Sequence, residues 1–183
     1  MQLWVAQPDS TRNGPPDFEH HSEMPTLDVT HGTATVLVGE FGGARSTARR
    51  DTDHVGIELL LRPGPTALEL DPAFEYGVVV FDGAAQLADA GSGDRRVEPG
   101  RLAYLGRGRG ELTVTARDAG ARLLLFGGVP FEAPITMWWN FVARSRAEID
   151  DANHDWRAGS ERFGDPGSTL ARVPSPDTPW RRA

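Results

Sequence analysis

The stretch Pro130 to Trp156, "PFEAPITMWWNFVARSRAEIDDANHDW", is where the hydrophobic pattern of this chain changes period. Before Pro134 the apolar residues come in short runs separated by turn signals. After it, Ser145 and Glu148 form an S-x-x-E capping box, in which a hydroxyl accepts a hydrogen bond from the backbone N–H three residues on. Ile149, Ala152 and Trp156 then recur at helical spacing until Gly159, a residue suited to the left-handed backbone that stops a helix. The spacing predicts a single helix from Arg146 to about Ala158. Trp138, Trp139, Asn140 and Phe141 stand between the two patterns. Each ring can bury a large area, and asparagine readily bonds backbone at a turn. These four are read as a packing or partner surface at the strand-to-helix turn, not as a catalytic site.

Upstream, strand-like segments follow one another: "TATVLVGEF", "HVGIELLLRPG", "TALELDPAF", "YGVVVFDGAAQLADAG", "GRLAYLGRG", "GELTVTARD" and "ARLLLFGGVP". They are divided by "GG", "PG", "DG", "GSGD" and "DAG", at the spacing of about 8 to 12 residues expected of a sandwich or barrel. Two facing antiparallel sheets are expected. "QLWVA" at residues 2–6 reads as a further short strand, and residues 9–25 as a polar, turn-rich arm. The tail "RVPSPDTPWRRA" is Pro-rich and expected to be extended and loosely docked.

The composition agrees with an all-β core. With 183 residues the chain has room for one domain of ordinary size plus tails. Its 39% hydrophobic and 25% charged residues are those of a soluble globular chain, and 21 glycines with 14 prolines exceed what a helical bundle uses. A net charge of −7 and the lack of any long basic run argue against direct nucleic-acid binding. All its basic residues are arginine, which reads as codon bias more than chemistry. The absence of cysteine excludes disulfides, thiolate metal sites and a cysteine nucleophile, and is compatible with a cytoplasmic location. No run reaches the roughly 18 apolar residues of a membrane span, and "MQLWVAQPDS" lacks the regions of a signal peptide.

Metal chemistry has weak support. His20 and His21 with Glu19 and Glu23 lie in the polar arm, where adjacent side chains diverge. His54 and Glu58 share a strand face but stand about 13 Å apart along it. His31 joins no cluster, and His154 reads as a surface residue of the helix. Small double-sheet barrels of the cupin type bind metal with an H-x-H pair, a later Glu and a His on a second hairpin. Laid on this chain, that pattern puts Glu69 and Asp71 at the H-x-H pair, Tyr76 near the Glu and Glu111 near the last His, with no imidazole among them. Glu69, Asp71 and Glu111 are the candidates for a hard cation, although unpaired carboxylates repel one another and prefer water. No metal and no cofactor is expected. No nucleophile elbow, P-loop or dinucleotide fingerprint occurs, and "GRGRG" at Gly106–Gly110 is read as a hairpin.

The closing segment "LLLFGGVPFEAPITMWWNFVARSRAEIDDANHDWRAG" closely resembles that of the pirin family, and "FEYGVVVFDG", "RLAYLGRGRGELTVTA" and "QLWVAQPDS" resemble the rest of a bacterial pirin's second half. Pirins are bicupins with iron, or a related divalent metal, held in the N-terminal barrel by three histidines and a glutamate. Some have quercetin 2,3-dioxygenase activity, and eukaryotic members act as redox-responsive transcription cofactors. The resemblance implies a cupin-type double-stranded β-helix barrel of two antiparallel sheets with one C-terminal α-helix, and a chain that starts after the family's metal motifs. His20, His21 and Glu23 are therefore not assigned as ligands. On this reading residues 1–25 are a crossover strand and connecting arm, 26–165 the C-terminal cupin domain and 166–183 a tail. The expected role is a non-catalytic structural or interaction half, partnered by an N-terminal cupin domain or, through the tryptophan face, by a second copy. A single-barrel dioxygenase acting on a flavonol-like substrate through Glu69, Asp71, Glu111 and a recruited histidine is the alternative. A barrel that encloses a small-molecule ligand is a third reading.

Overall fold

The structure, a computed structural model, describes residues 2–88 and 93–180. Two compact units result: His20–Pro130, and Met1–Glu19 together with Phe131–Ala183.

The first unit is a folded-over antiparallel sheet of eight strands: β1 (Thr26–Val29), β2 (Gly32–Val38), β5 (His54–Leu61), β6 (Gly64–Glu69), β7 (Glu75–Ala88), β8 (Arg95–Val97), β9 (Leu102–Leu105) and β10 (Glu111–Gly128). A small hairpin of β3 (Glu40–Phe41) and β4 (Ala44–Arg45) stands apart from it. The expected pair of sheets arises from bending rather than from separate strands. The second half of β10, from Ala121, lies between β5 and the first half of β7, whereas its first half lies between β6 and the second half of β7. The ladder between β7 and β10 is interrupted between Ala116 and Ala121, so the two long strands change layer together. Gly120 (φ 85°) and Gly83 (φ 73°) sit at that corner. A Cβ on Gly120 would lie 2.4 Å from the Leu61 carbonyl oxygen, and one on Gly83 would lie 2.1 Å from that of Gly120. Only glycine fits there.

Period-2 alternation supplies the filling of the sandwich. Val55, Ile57, Leu59 and Leu61 of β5, Leu112, Val114, Leu123 and Leu125 of β10, and Tyr76, Val78 and Val80 of β7 all join one buried cluster. Each fully buried aliphatic side chain contributes about 1.5–3 kcal/mol relative to exposure. Leu68 and Leu70, on either side of Glu69, belong to the same cluster.

The second unit contains the hairpin of β11 (Thr136–Trp138) and β12 (Phe141–Ala143), the helix α1 (Arg146–Ala158) and a 3-10 turn (Glu161–Phe163). The helix has the bounds that its caps predict. Ser145 Oγ accepts from the Glu148 N–H at 3.3 Å, and Gly159 (φ 70°) closes the last turn. Its inner face, Ile149 and Ala152, packs with Phe141, Ala143 and a ring cluster.

One expected element is absent. Residues 2–6 pair with no strand, and Leu3, Trp4 and Val5 are exposed. Alternating apolar residues make a strand only where a ladder partner takes up their N–H and C=O groups, and "QLWVA" has none. The strand expected through Gly91 is described only as far as Ala88; residues 89–91 lie outside the described residues, as do the last three of the tail.

Candidate functional site

The positions aligned with cupin metal ligands lie at one end of the sandwich. Glu69 of β6 and Glu111 of β10 are direct cross-strand partners, and both are exposed. The strand period explains this. Leu68 and Leu112 face the core, so their neighbours face water. Asp71 leaves the strand for a turn: its Oδ1 accepts from the Ala73 N–H at 2.8 Å and its carbonyl from the Phe74 N–H at 3.0 Å. Tyr76 does point inward, and burial raises its pKa. Its hydroxyl accepts from the Asp71 N–H at 2.9 Å and donates to the Asp71 carbonyl at 3.4 Å. The phenol is thus occupied by backbone. Among the described residues no three His, Asp or Glu side chains converge to hold a metal ion, and the donors at the cupin positions do not fit an iron centre. The carboxylate trio therefore stays at one end of the sandwich, Glu69 beside Glu111, without its side chains converging on one point.

The histidines are equally dispersed in their bonding. His54 Nδ1 lies 3.0 Å from Thr52 Oγ1, and burial lowers its pKa and favours the neutral ring. His21 Nδ1 lies 3.3 Å from Thr47 Oγ1. His31 packs its ring on Gly64, with Nδ1 buried and lacking a hydrogen-bond partner. His154 is exposed on α1.

A cavity of about 420 Å³ opens beside Tyr76, with Phe41, Val55 and Phe74 on its apolar side and Arg50, Asp53, Glu69 and Asp71 on its polar side. Phe41, from the β3–β4 hairpin, packs against the sandwich core. This is the space in which the sandwich could hold a small molecule.

The aromatic block is a different arrangement. Trp139 and Asn140 form a two-residue turn between Trp138 and Phe141, which are paired across the hairpin. Trp139 has φ 51°, a left-handed value that costs a non-glycine side chain roughly 1–2 kcal/mol. It is held there by edge-to-face contacts with Phe141 at 5.2 Å and Trp156 at 5.7 Å between ring centroids. Phe163 closes the set against Phe141 and Trp156. Asn140 is exposed at this turn, and among the described residues its side chain has no backbone partner, so the expected bond is not seen.

One feature of this unit carried no sequence signal, and a second was expected only as a loose contact. Arg12 grips both oxygens of Glu148, at 2.9 and 3.0 Å, across 136 residues. Glu148 also accepts from the Arg144 N–H at 2.8 Å, and these bonds, Arg12 first, hold its pKa down to about 2. A cleft of about 430 Å³ lined by Gln7, Arg12, Arg144, Glu148 and Arg162 surrounds the pair. The second feature is the tail, which docks along α1 through named side-chain bonds. Trp156 Nε1 donates to the Val173 carbonyl at 2.8 Å, and Thr178 Oγ1 to Asp150 Oδ1 at 2.7 Å.

Residues 57–164 match the model of the pirin C-terminal cupin domain. A Pseudomonas aeruginosa protein named "Putative quercetin 2,3-dioxygenase" is 38% identical over 98% of this chain and 56% of its own length. A pirin-like protein of Caulobacter vibrioides is 29% identical over 90% of this chain and 56% of its own. The crystal structure of a quercetin 2,3-dioxygenase from Acinetobacter baumannii superposes with a TM-score of 0.86 at 35% identity, covering 98% of this chain and 59% of that one. The chain thus spans little more than half the length of these relatives. No helix among the described residues is long and apolar enough to cross a membrane.

Proposed function

Because the chain belongs to the pirin family through its C-terminal cupin domain, we propose that it is the structural and interaction half of a pirin-type bicupin, with no metal and no reaction of its own. One observation carries this reading: at the positions where a cupin places its ligands, Glu69 and Glu111 face water, Asp71 holds a turn and Tyr76 is bonded to backbone. Relatives named for quercetin 2,3-dioxygenase activity are longer than this chain. The iron and the oxygen chemistry of such proteins are assigned here to an N-terminal cupin domain, supplied by further sequence or by another chain. The cytoplasm is the compartment in which this half would meet it. The alternative, a single-barrel dioxygenase, would need Glu111 and a recruited histidine to join Glu69 and Asp71 at the cavity beside Tyr76, and among the described residues no three such side chains converge.

The test is metal content by mass spectrometry on protein grown with added iron and dialysed against a weak chelator, combined with oxygen uptake on quercetin. Background metal and no uptake are expected. Near-stoichiometric iron that survives dialysis, lost on Glu111→Gln, would overturn the proposal in favour of the dioxygenase.

A further inference from the structure

The tail does not merely lie on α1; the helix reads it. Four residues one stripe apart on α1, Arg146, Asp150, Asn153 and Arg157, each meet a tail residue. The Arg157 guanidinium donates to the Ser175 carbonyl from Nη2 at 2.8 Å and to Asp177 from Nη1 at 2.9 Å. Asn153 donates to the Pro176 carbonyl at 3.1 Å and accepts from the Ser175 hydroxyl. Asp150 takes Thr178 at 2.7 Å and the Trp180 indole N–H at 3.2 Å, and Arg146 lies over the Trp180 ring. Trp156 and Arg172 add a pair of bonds at the other end. The segment runs antiparallel to the helix.

Two details separate this from ordinary tail packing. Ser175 and Thr178, three residues apart and each followed by proline, are the buried tail positions, at 4% and 2% exposure, while the residues between them face water. A three-residue repeat is that of polyproline II, whose backbone makes no internal hydrogen bonds and so offers its carbonyls to a reader. Here Asn153, Trp156 and Arg157 take those carbonyls. Asn153, itself 7% exposed, is a buried polar residue on an otherwise solvated helix face, and the docked tail is what satisfies it.

We propose that this face of α1 is a binding groove for extended proline-rich segments of partner proteins. The ligand class has Ser-Pro and Thr-Pro pairs three residues apart followed by an aromatic, and Val173–Trp180 is its tethered occupant. Residues 164–171, exposed apart from the first, form the tether. A short flexible tether gives the tail an effective concentration of about millimolar, so a partner segment must bind more tightly or be held close by. The tail therefore sets a threshold for docking. The proposal rests on residues of the helical unit alone, and peptide binding is read independently of metal or oxygen uptake, so either reading fails without the other.

The experiment uses the full chain and a labelled synthetic peptide of residues 172–180, RVPSPDTPW. In an open-tail chain, Thr178→Asp sets a carboxylate against Asp150 and Trp180→Ala removes the indole. Fluorescence anisotropy is expected to give saturable binding of the peptide to the open-tail chain and at least tenfold weaker binding to the unaltered chain. Adding Arg157→Ala to the open-tail chain should weaken binding at least tenfold again. Equal binding to both chains, or none to an open-tail chain whose circular dichroism matches the parent, overturns the proposal. A concentration-dependent dimer of the unaltered chain without peptide binding would give the groove to a second copy and overturn it too. Should the open-tail chain not fold, trypsin cleavage after Arg172 decides. Arg157→Ala in the otherwise unaltered chain should speed it at least tenfold, and an unchanged rate overturns the proposal.

Discussion

The two units of this chain are held together by different physics. In His20–Pro130 eight strands share one sheet of backbone hydrogen bonds, and aliphatic side chains from both layers fill one core. Among the described residues of the helical unit the buried apolar set is Phe141, Ala143, Ile149 and Ala152, with half-buried rings packed around them. The remainder is directional: Arg12 on Glu148, Arg157 on the tail, indole N–H groups on carbonyl and carboxylate oxygens. Aliphatic burial is indifferent to pH and tolerant of small rotations, whereas charge-assisted bonds are neither. The sandwich is built the first way and the helical unit the second way.

The largest expected effect lies in the sandwich. Leu125→Ala removes a fully buried side chain from between β5 and β7, and should cost about 3–4 kcal/mol in urea unfolding followed by far-ultraviolet circular dichroism. The matching experiment in the helical unit is a pair. Trp139→Ala loses the ring contacts and keeps the left-handed backbone; Trp139→Gly loses the same contacts and relieves the strain. The glycine variant should be the more stable by about 1 kcal/mol. If the two are equal, the turn is not strained and the rings do not hold it.

The pH response should divide the units further. Glu148 has its pKa depressed from 4.5 to about 2 by Arg12 and the Arg144 N–H. A carboxylate with a depressed folded pKa contributes stability that is present above its unfolded value and lost as pH falls toward the folded one. The near-ultraviolet signal of the tryptophan cluster should therefore weaken between pH 4.5 and 2, and Glu148→Gln should flatten that dependence at the expense of stability at neutral pH. An identical pH profile for the variant would show that the pair adds nothing.

The same contrast explains what could be read in advance. Strands, turns and the helix with both caps were legible, because local periodicity and Ser145, Glu148 and Gly159 specify them. The carboxylate candidates illustrate a local rule set aside. The leucines at 68 and 70 already assign Glu69 to the water face, yet a family pattern laid on the letters ignores which side of a pleat a residue takes. "QLWVA" fails for the opposite reason, since alternation is local but a ladder partner is not. The Arg12–Glu148 pair and the tail groove join residues 136 and about 20 to 30 positions apart through side-chain bonds that have no periodicity. Directional contacts between distant charges are the part of a fold that sequence spacing does not encode.

The smallest expected effect bears on how little the interior of the sandwich owes to polar side chains. Thr66 is fully buried on β6 opposite Val114, and its hydroxyl has no hydrogen-bond partner. A buried hydroxyl left without a partner costs about 1–3 kcal/mol, part of which the site recovers by small shifts. Thr66→Val replaces it by a methyl of similar size in a neighbourhood already made of Leu and Val. The thermal midpoint should rise by a few degrees, on the order of 0.5–1 kcal/mol of stability. A fall instead would mean that the hydroxyl serves something in the interior, such as a trapped water, and that the aliphatic side of the comparison contains a polar element after all.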